Sequence, residues 1–422
     1  MSPAPHVDRG LGVTAAAGFS ATGVACGLKP AGQLDLALVV GPPGTVAAGV
    51  FTTNVVVAAP VVWSRALLAA SADARVVVVN SGNANACTGP AGHQAVRATA
   101  ERAAAELGCG PEQVLICSTG VIGVPLDAER VGDGVAKAAA NLGRRASVEL
   151  AGRLDHGDGL AAAEAIRTTD TVAKQAGTRL AGGVTVGGMA KGAAMLAPAM
   201  APPHATMLAV LTTDALAEEA ALRDGLAAAV DDSFNRITVD GAQSTNDTVL
   251  LLASGASGAR PDPDELAAAV RAVCDDLATQ MLADAEGGTK VISVEVGGAG
   301  TLAAALAVAR RVADSPLVKT AAYGGDPNWG RVLQAAGTAG VQFDPDAVGL
   351  EVAAGPVGGG PGGTGPVVLV RGGAPTGADG SAAMAGPEVR LRLDLGGDGP
   401  WGRIRTVDLT PEYVRLNSEY TT

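Results

Sequence analysis

The feature that most constrains this chain is a stretch of 22 residues, between Lys191 and Asp214, that holds no carboxylate, lysine or arginine. Its length would suit a membrane span, which takes about 20 apolar residues. Three prolines, Pro198, Pro202 and Pro203, argue against a continuous helix there, because each removes a backbone donor and restricts the turn around it. What remains is an apolar, proline-broken loop that runs into the β-prone Ala209-Val210-Leu211-Thr212-Thr213. Such a loop is buried and feeds a buried strand. It sets one hydroxyl, that of Thr206, at the start of a rigid element. The plain reading is that Thr206 is merely the first residue of that strand.

The rest of the chain is long enough, at 422 residues, for two or three domains and a large core. Its formal charge of −12 argues against nonspecific nucleic-acid or anionic-membrane binding, since both need a basic face. The five cysteines, Cys26, Cys87, Cys109, Cys117 and Cys274, form no C-x-x-C pair and have no histidine at zinc-site spacing. Their odd count and scatter suit free thiols in a reducing compartment. The beginning of the chain has no basic region followed by an apolar run, so the expected location is the cytoplasm. No metal is expected.

Apolar runs mark strands at 34–40, 46–52, 75–79, 114–117, 178–186, 207–212, 249–252, 291–296 and 389–395. Helical patterns occupy 91–107, 126–142, 159–167, 216–233, 263–282 and 301–312. Residues 1–30 read as a loose arm, and the Gly- and Pro-rich 354–387 as an extended surface loop. Gly41-Pro42-Pro43-Gly44-Thr45 lacks the Gly-Lys-Ser/Thr ending of a phosphate-binding loop and reads as a hairpin turn. Ser118-Thr119-Gly120-Val121-Ile122-Gly123 has two readings. One is a strand-to-helix turn that needs glycine for its dihedrals. The other is an oxyanion hole, in which the Gly120 amide and the Thr119 hydroxyl donate to the oxygen of an attacked carbonyl.

Several segments in order resemble the glutamate N-acetyltransferase / ornithine acetyltransferase family. They are Phe51-Thr52-Thr53-Asn54, Asn80 to Gly89, Thr119-Gly120, Thr168-Thr169-Asp170-Thr171, Lys191-Gly192 and Ala205-Thr206-Met207-Leu208. Further on come Phe234 to Gly241, Ser244-Thr245-Asn246-Asp247-Thr248, Glu286-Gly287-Gly288, Gly325 to Arg331 and Leu416 to Thr422. The resemblance runs from about residue 11 to 422. It departs at Val55-Val56-Val57, where basic residues are expected, at Arg167 and at Ala242-Gln243. It also departs at Pro202-Pro203-His204-Ala205, four residues that intervene between Ala201 and Thr206 where the family runs Met-Ala directly into Thr-Met-Leu.

The resemblance implies an α/β fold, a layered sandwich of helices on paired β-sheets, with a smaller C-terminal α/β domain. The sequence itself changes character near 286, so 1–285 and 286–422 are the expected domains. The resemblance implies that the chain cuts its own Ala205–Thr206 bond, giving an alpha chain 1–205 and a beta chain 206–422. These form a heterodimer that assembles further to a heterotetramer or larger. Thr206 is then the nucleophile and Thr119 with Gly120 the oxyanion hole. Thr168, Thr169, Lys191, Glu286, Asn417 and Thr422 contact substrate. A threonine hydroxyl is a poor nucleophile until a base takes its proton. The new α-amine of Thr206, with a reference pKa of ~7.7–8, is such a base on the same residue.

The implied reaction moves an acetyl group from N2-acetyl-ornithine to glutamate, with no cofactor; acetyl-CoA is open as a further donor. Two other readings stay open from the residues alone. One is a self-cleaving aminopeptidase or amidase that uses water as acceptor. The other is an uncut binding or assembly protein whose four-residue insertion has disabled cleavage.

Overall fold

The computed structural model describes residues 5–149, 158–197, 200, 207–355 and 365–419. Ala205, Thr206 and Thr422 therefore lie outside the described residues. The chain divides into two compact units, one built from Met1–Asn235, Ala242–Met281 and Thr421–Thr422, the other from Arg236–Gly241 and Leu282–Tyr420. The division falls after Met281 rather than after Ala285, and it adds the strap 236–241 to the second unit.

In the first unit the described strands are β1 (Ser20–Val24), β2 (Leu36–Val40), β3 (Val46–Phe51), β4 (Val76–Asn83), β5 (Val114–Val121), β6 (Lys174–Arg179), β7 (Thr185–Lys191), β8 (Leu208–Thr213) and β9 (Thr248–Ala253). The helices are α1 (Ala59–Ala70), α2 (Gly89–Leu107), α3 (Ala128–Glu149), α4 (Asp158–Ala165), α5 (Glu219–Asp232) and α6 (Pro263–Ala283). Strands form two sheets, ordered β1-β2-β4-β5 and β3-β9-β8-β7-β6. Side chains alternate across a strand, so each run of valine and leucine serves two layers at once. Ala37, Val39, Val77, Val79, Leu115 and Cys117 of the first sheet share one core with Met189, Leu208, Val210, Leu250 and Leu252 of the second. The intervening Leu36, Leu38, Val76, Val78, Val114 and Ile116 pack outward on α2 and α3. Helices α5 and α6 lie against the second sheet, where Leu277 meets Leu211 over Gly188. The result is helices on both sides of paired sheets, the expected layered sandwich.

The second unit adds β10 (Val291–Gly297), α7 (Leu302–Ala313), α8 (Pro316–Tyr323), α9 (Trp329–Ala336), β11 (Gly349–Ala354), β12 (Val367–Arg371), β13 (Ala374–Pro375), α10 (Ser381–Met384), β14 (Glu388–Asp394), β15 (Gly402–Val407) and α11 (Pro411–Glu419). Its strands make one sheet, β13-β12-β11-β14-β10-β15. One face of that sheet shares a core with Val308, Val312, Val318 and Val332 of the helices. Three of those helices start on side-chain caps that satisfy an orphan amide, from Thr301 to Ala304, Ser315 to Val318 and Asn328 to Arg331.

Several sequence expectations change. The single strand at 178–186 is a hairpin, β6 paired antiparallel with β7, because Gly182-Gly183 turns the chain at Gly183 (φ 83°). The hairpin turn at 41–45 instead carries the chain from one sheet to the other, since β2 and β3 do not pair. Residues 1–30 are not all arm, for β1 pairs with β2. The loop at 354–387 contains β12, β13 and α10, and residues 315–336 form two helices. The end of the chain is helical over α11.

Candidate active site

Alternation also places the chemistry. In β5, Leu115 and Cys117 face the inter-sheet core, so Thr119 points the same way. In β7, Met189 faces that core, and Lys191 follows it. The two meet there: Lys191 Nζ donates to Thr119 Oγ1 at 3.1 Å, both residues being buried. A hydroxyl that accepts from an ammonium has its own proton left to give, and it gives it more strongly. Lys191 therefore supports Thr119 as a hydrogen-bond donor.

The expected turn at 118–123 is strand as far as Val121. β5 pairs parallel with β4, Ser81 opposite Thr119 and Gly82 opposite Gly120, with a register shift at Gly82/Asn83. Gly120 adopts φ 129°, and a Cβ there would lie 2.3 Å from the Gly82 carbonyl carbon and 2.6 Å from Asn83 N. Only glycine lets the two backbones approach this closely. An asparagine-rich loop locks the bulge. Ser118 Oγ donates to Asn80 Oδ1 at 2.6 Å, and Asn80 Nδ2 to the Asn83 carbonyl at 2.8 Å. Asn85 N donates to Asn83 Oδ1 at 2.7 Å, and Asn85 Nδ2 to the Gly92 carbonyl at 2.9 Å. These polar groups are buried and satisfied, which fixes the Thr119–Gly120 backbone in one geometry.

Behind the pair lies a carboxylate that sequence reasoning passed over in favour of its neighbours Thr168 and Thr169. Asp170 accepts from Lys174 Nζ at 2.6 Å and from Gly192 N at 2.7 Å through Oδ1, and from Thr168 N at 3.1 Å through Oδ2. Thr168 and Thr169 are half-buried beside it. Burial alone would push the Asp170 carboxyl up, but the charges of Lys191 and Lys174 and its hydrogen bonds hold it down at about 2. Lys29 also belongs to this group. Its stem lies beside Gly82, and its ammonium donates to the Leu34 and Arg167 carbonyls. Burial pushes its pKa down to about 8, Asp35 opposing and Lys191 and Arg167 adding to the effect.

Asp170 makes a pH prediction. Its folded pKa lies below the ordinary 3.8, so its contribution to stability is complete above about pH 4 and is lost as the pH falls toward 2. Asp170→Asn removes the carboxylate that faces the fully buried Lys174 ammonium at 2.6 Å, and is expected to cost ~3–5 kcal/mol at pH 7. Urea midpoints measured from pH 7 down to 2 should fall less steeply below pH 4 in the variant than in the parent.

The uncharged segment is anchored at both flanks. Met200 N donates to Asn235 Oδ1 at 2.7 Å, Asn235 Nδ2 returns a bond to the Met200 carbonyl at 3.1 Å, and Met200 bridges Thr52. On the far side Met207 N donates to Asp247 Oδ1, and the Met207 carbonyl accepts from Thr248 N at 3.1 Å. Leu208 then pairs with Lys191 across β8 and β7. Asn235, Asn246 and Asp247 carried no expected role; their signal was a run of polar residues flanking strands that are wholly buried. In the second unit, Asn417 on α11 donates to Glu286 Oε2 at 2.8 Å. Tyr413, one turn earlier, donates to Asp240 Oδ2 at 3.2 Å, and its backbone rests on Gly287, where a Cβ would come within 2.4 Å of Tyr413 N. The structure thus brings Thr119, Gly120 and Lys191 together, and Glu286 with Asn417. Among the described residues no cluster of three or more His, Cys, Asp or Glu side chains is placed to hold a metal, and no helix is long and apolar enough to cross a membrane.

The sequence matches the model of the ArgJ family over residues 20–422. It is 48% identical over 422 residues to the arginine biosynthesis bifunctional protein ArgJ of Mycobacterium bovis, covering 98% of this chain and 97% of that one. It is also 48% identical over 413 residues to the protein of that name from Streptomyces coelicolor, covering 97% and 100%. Among solved structures it is similar to an ornithine acetyltransferase complexed with ornithine from Mycobacterium tuberculosis. That chain is 46% identical, with a TM-score of 0.42, over 46% of this chain and 99% of its own length.

Proposed function

The chain belongs to the ArgJ family, and we propose on that footing that it carries acetyl groups on Thr206. It is an acyltransferase of arginine biosynthesis with ornithine acetyltransferase and glutamate N-acetyltransferase function. The observation that carries the residue-level reading is the register of β7 and β8. Thr206 precedes Leu208 by two residues, Leu208 pairs with Lys191, and Lys191 donates to Thr119. Two residues of chain reach at most ~7 Å, and on that tether we assign the Thr206 hydroxyl to the same site as the donors of Thr119 and Gly120.

In maturation the Thr206 hydroxyl attacks the Ala205 carbonyl. The peptide C–N bond breaks as an ester forms, which frees the α-amine, and water then hydrolyses the ester to the Ala205 carboxylate and restores the hydroxyl. In turnover that amine takes the hydroxyl proton as the oxygen attacks the acetyl carbon of N2-acetyl-ornithine. The oxyanion takes hydrogen bonds from Thr119 Oγ1 and Gly120 N. The C–N bond of the substrate breaks and ornithine leaves with the proton. Glutamate attacks the acetyl-threonine by the reverse steps. Both substrates share an α-amino-acid frame, so one site serves donor and acceptor in turn. The substrate contacts we assign are Lys191, Thr168, Thr169, Glu286, Asn417 and Thr422, a carboxylate such as that of Glu286 being suited to a substrate ammonium.

The chemistry needs no metal or organic cofactor, and acetyl-CoA is a candidate second donor. We place the enzyme in the cytoplasm, as a heterodimer of its two fragments that assembles further. Steady-state kinetics test the reading. Varying N2-acetyl-ornithine at several glutamate concentrations should give parallel double-reciprocal lines, and labelled ornithine should exchange into N2-acetyl-ornithine without glutamate. Intersecting lines with no exchange would show direct transfer instead.

A further inference from the structure

Two consecutive residues ahead of β9 hold the two halves of the chemistry. Asn246 spends both hydrogens of its amide on carbonyls, that of Ser118 at 2.9 Å and that of Ala84 at 2.6 Å, and its Oδ1 accepts from Thr245 Oγ1 at 2.5 Å. Ser118 is the residue before Thr119. Asp247 turns to the other side and accepts from Met207 N, the residue after Thr206. The Asp247 carbonyl accepts from Thr52 N at 2.9 Å, and Thr52 bridges Met200. Asn246 and Asp247 are both buried, so water does not compete for these bonds.

We propose that Asn246-Asp247 is a bracket that sets the spacing between the nucleophile and the oxyanion donors. Both are positioning residues, acting through the backbone of Ser118 and of Met207. The idea rests on the reading of Thr206 as nucleophile. Pro202-Pro203-His204-Ala205 precede Thr206 in the sequence. Every bond of the bracket goes to residues outside that insertion, so the placement of Met207 is independent of the number of residues before it. Attack on a carbonyl tolerates little misplacement, and an error of about 1 Å costs ~10²-fold.

The test uses the full-length chain and four variants, Asp247→Ala, Asp247→Asn, Asn246→Ala and Thr206→Ala. Self-cleavage is followed by electrophoresis, transfer by kcat and KM, and folding by thermal midpoint. Asp247→Ala is expected to lose ~10²-fold in cleavage rate and in kcat, with KM for N2-acetyl-ornithine within about threefold. Asp247→Asn keeps an oxygen for the Met207 amide and should recover most of that loss. Asn246→Ala should lower kcat with little change in KM. A folded Asp247→Ala that cuts and turns over like the parent overturns the proposal. So does an Asp247→Asn as impaired as the alanine variant, since charge and not position would then matter. If Asp247→Ala fails to fold, Asn246→Ala and Asp247→Asn decide. Thr206→Ala separates the two ideas. If it turns over normally, the nucleophile is wrong; if it is dead while the bracket variants behave like the parent, the bracket alone falls.

Discussion

Replacing Thr206 with alanine is expected to leave the chain in one piece and to lower acetyl transfer by ~10⁴-fold or more. On the proposed reading alanine removes the hydroxyl that attacks Ala205, so the α-amine is never released. It also removes the atom that would carry the acetyl group. Nucleophile and base are then lost in one substitution, because the proposed base is the amine of the same residue. What survives should be only the rate that binding and the oxyanion donors give without a nucleophile. Thr206→Ser keeps both hydroxyl and amine and is expected to cut itself and turn over. Electrophoresis together with an assay for acetyl-glutamate reads both effects. An alanine variant that is cut, or that is whole and fully active, contradicts the assignment.

Gly120→Ala is expected to lose ~10²–10³-fold in kcat with little change in KM. The reason is steric before it is chemical. The added methyl would sit 2.3 Å from the backbone of Gly82, which has no flexible end to move aside. β5 must back away from β4, and the Gly120 amide turns with it. On the proposed reading the interaction lost is made only when charge develops on the attacked oxygen, hence the effect on kcat. Overpacking and the strained φ of 129° together should also cost ~2–4 kcal/mol of stability. Gly123→Ala is the control. Gly123 also has positive φ, 83°, but a Cβ there meets nothing within 4 Å, so strain acts without a clash. It should cost only ~1–2 kcal/mol and leave kcat near that of the parent. Equal loss of activity in both variants would mean that backbone strain alone, and not the approach to Gly82, shapes the site.

Where burial forces a period, the sequence was readable. The valine run of β4 faces a core on either side, and α6 carries a long apolar stripe; both were plain. Thr119 and Gly120 could be picked out by residue type. Their conformation could not, because a glycine with positive φ signals a turn, whereas here it marks a bulge within a parallel pair. β6 and β7 merged into one expected strand because Gly177, Gly187 and Gly188 carry no side chains to show alternation. The polar residues that hold the site were the least legible. Asn246 reaches Ser118 and Ala84, and Asp247 reaches Met207, across gaps in sequence that no local pattern bridges. Asp170 is tied to near neighbours, but its burial between two lysines follows from the packing of β6 and β7.

The most direct test is mass spectrometry of the purified protein, before and after a short exposure to N2-acetyl-ornithine without glutamate. The expected result is two species, residues 1–205 and 206–422, the second beginning at Thr206 and gaining one acetyl group that glutamate then removes. A single unbroken chain that still transfers acetyl groups at the full rate, or a label on residues 1–205, would contradict it.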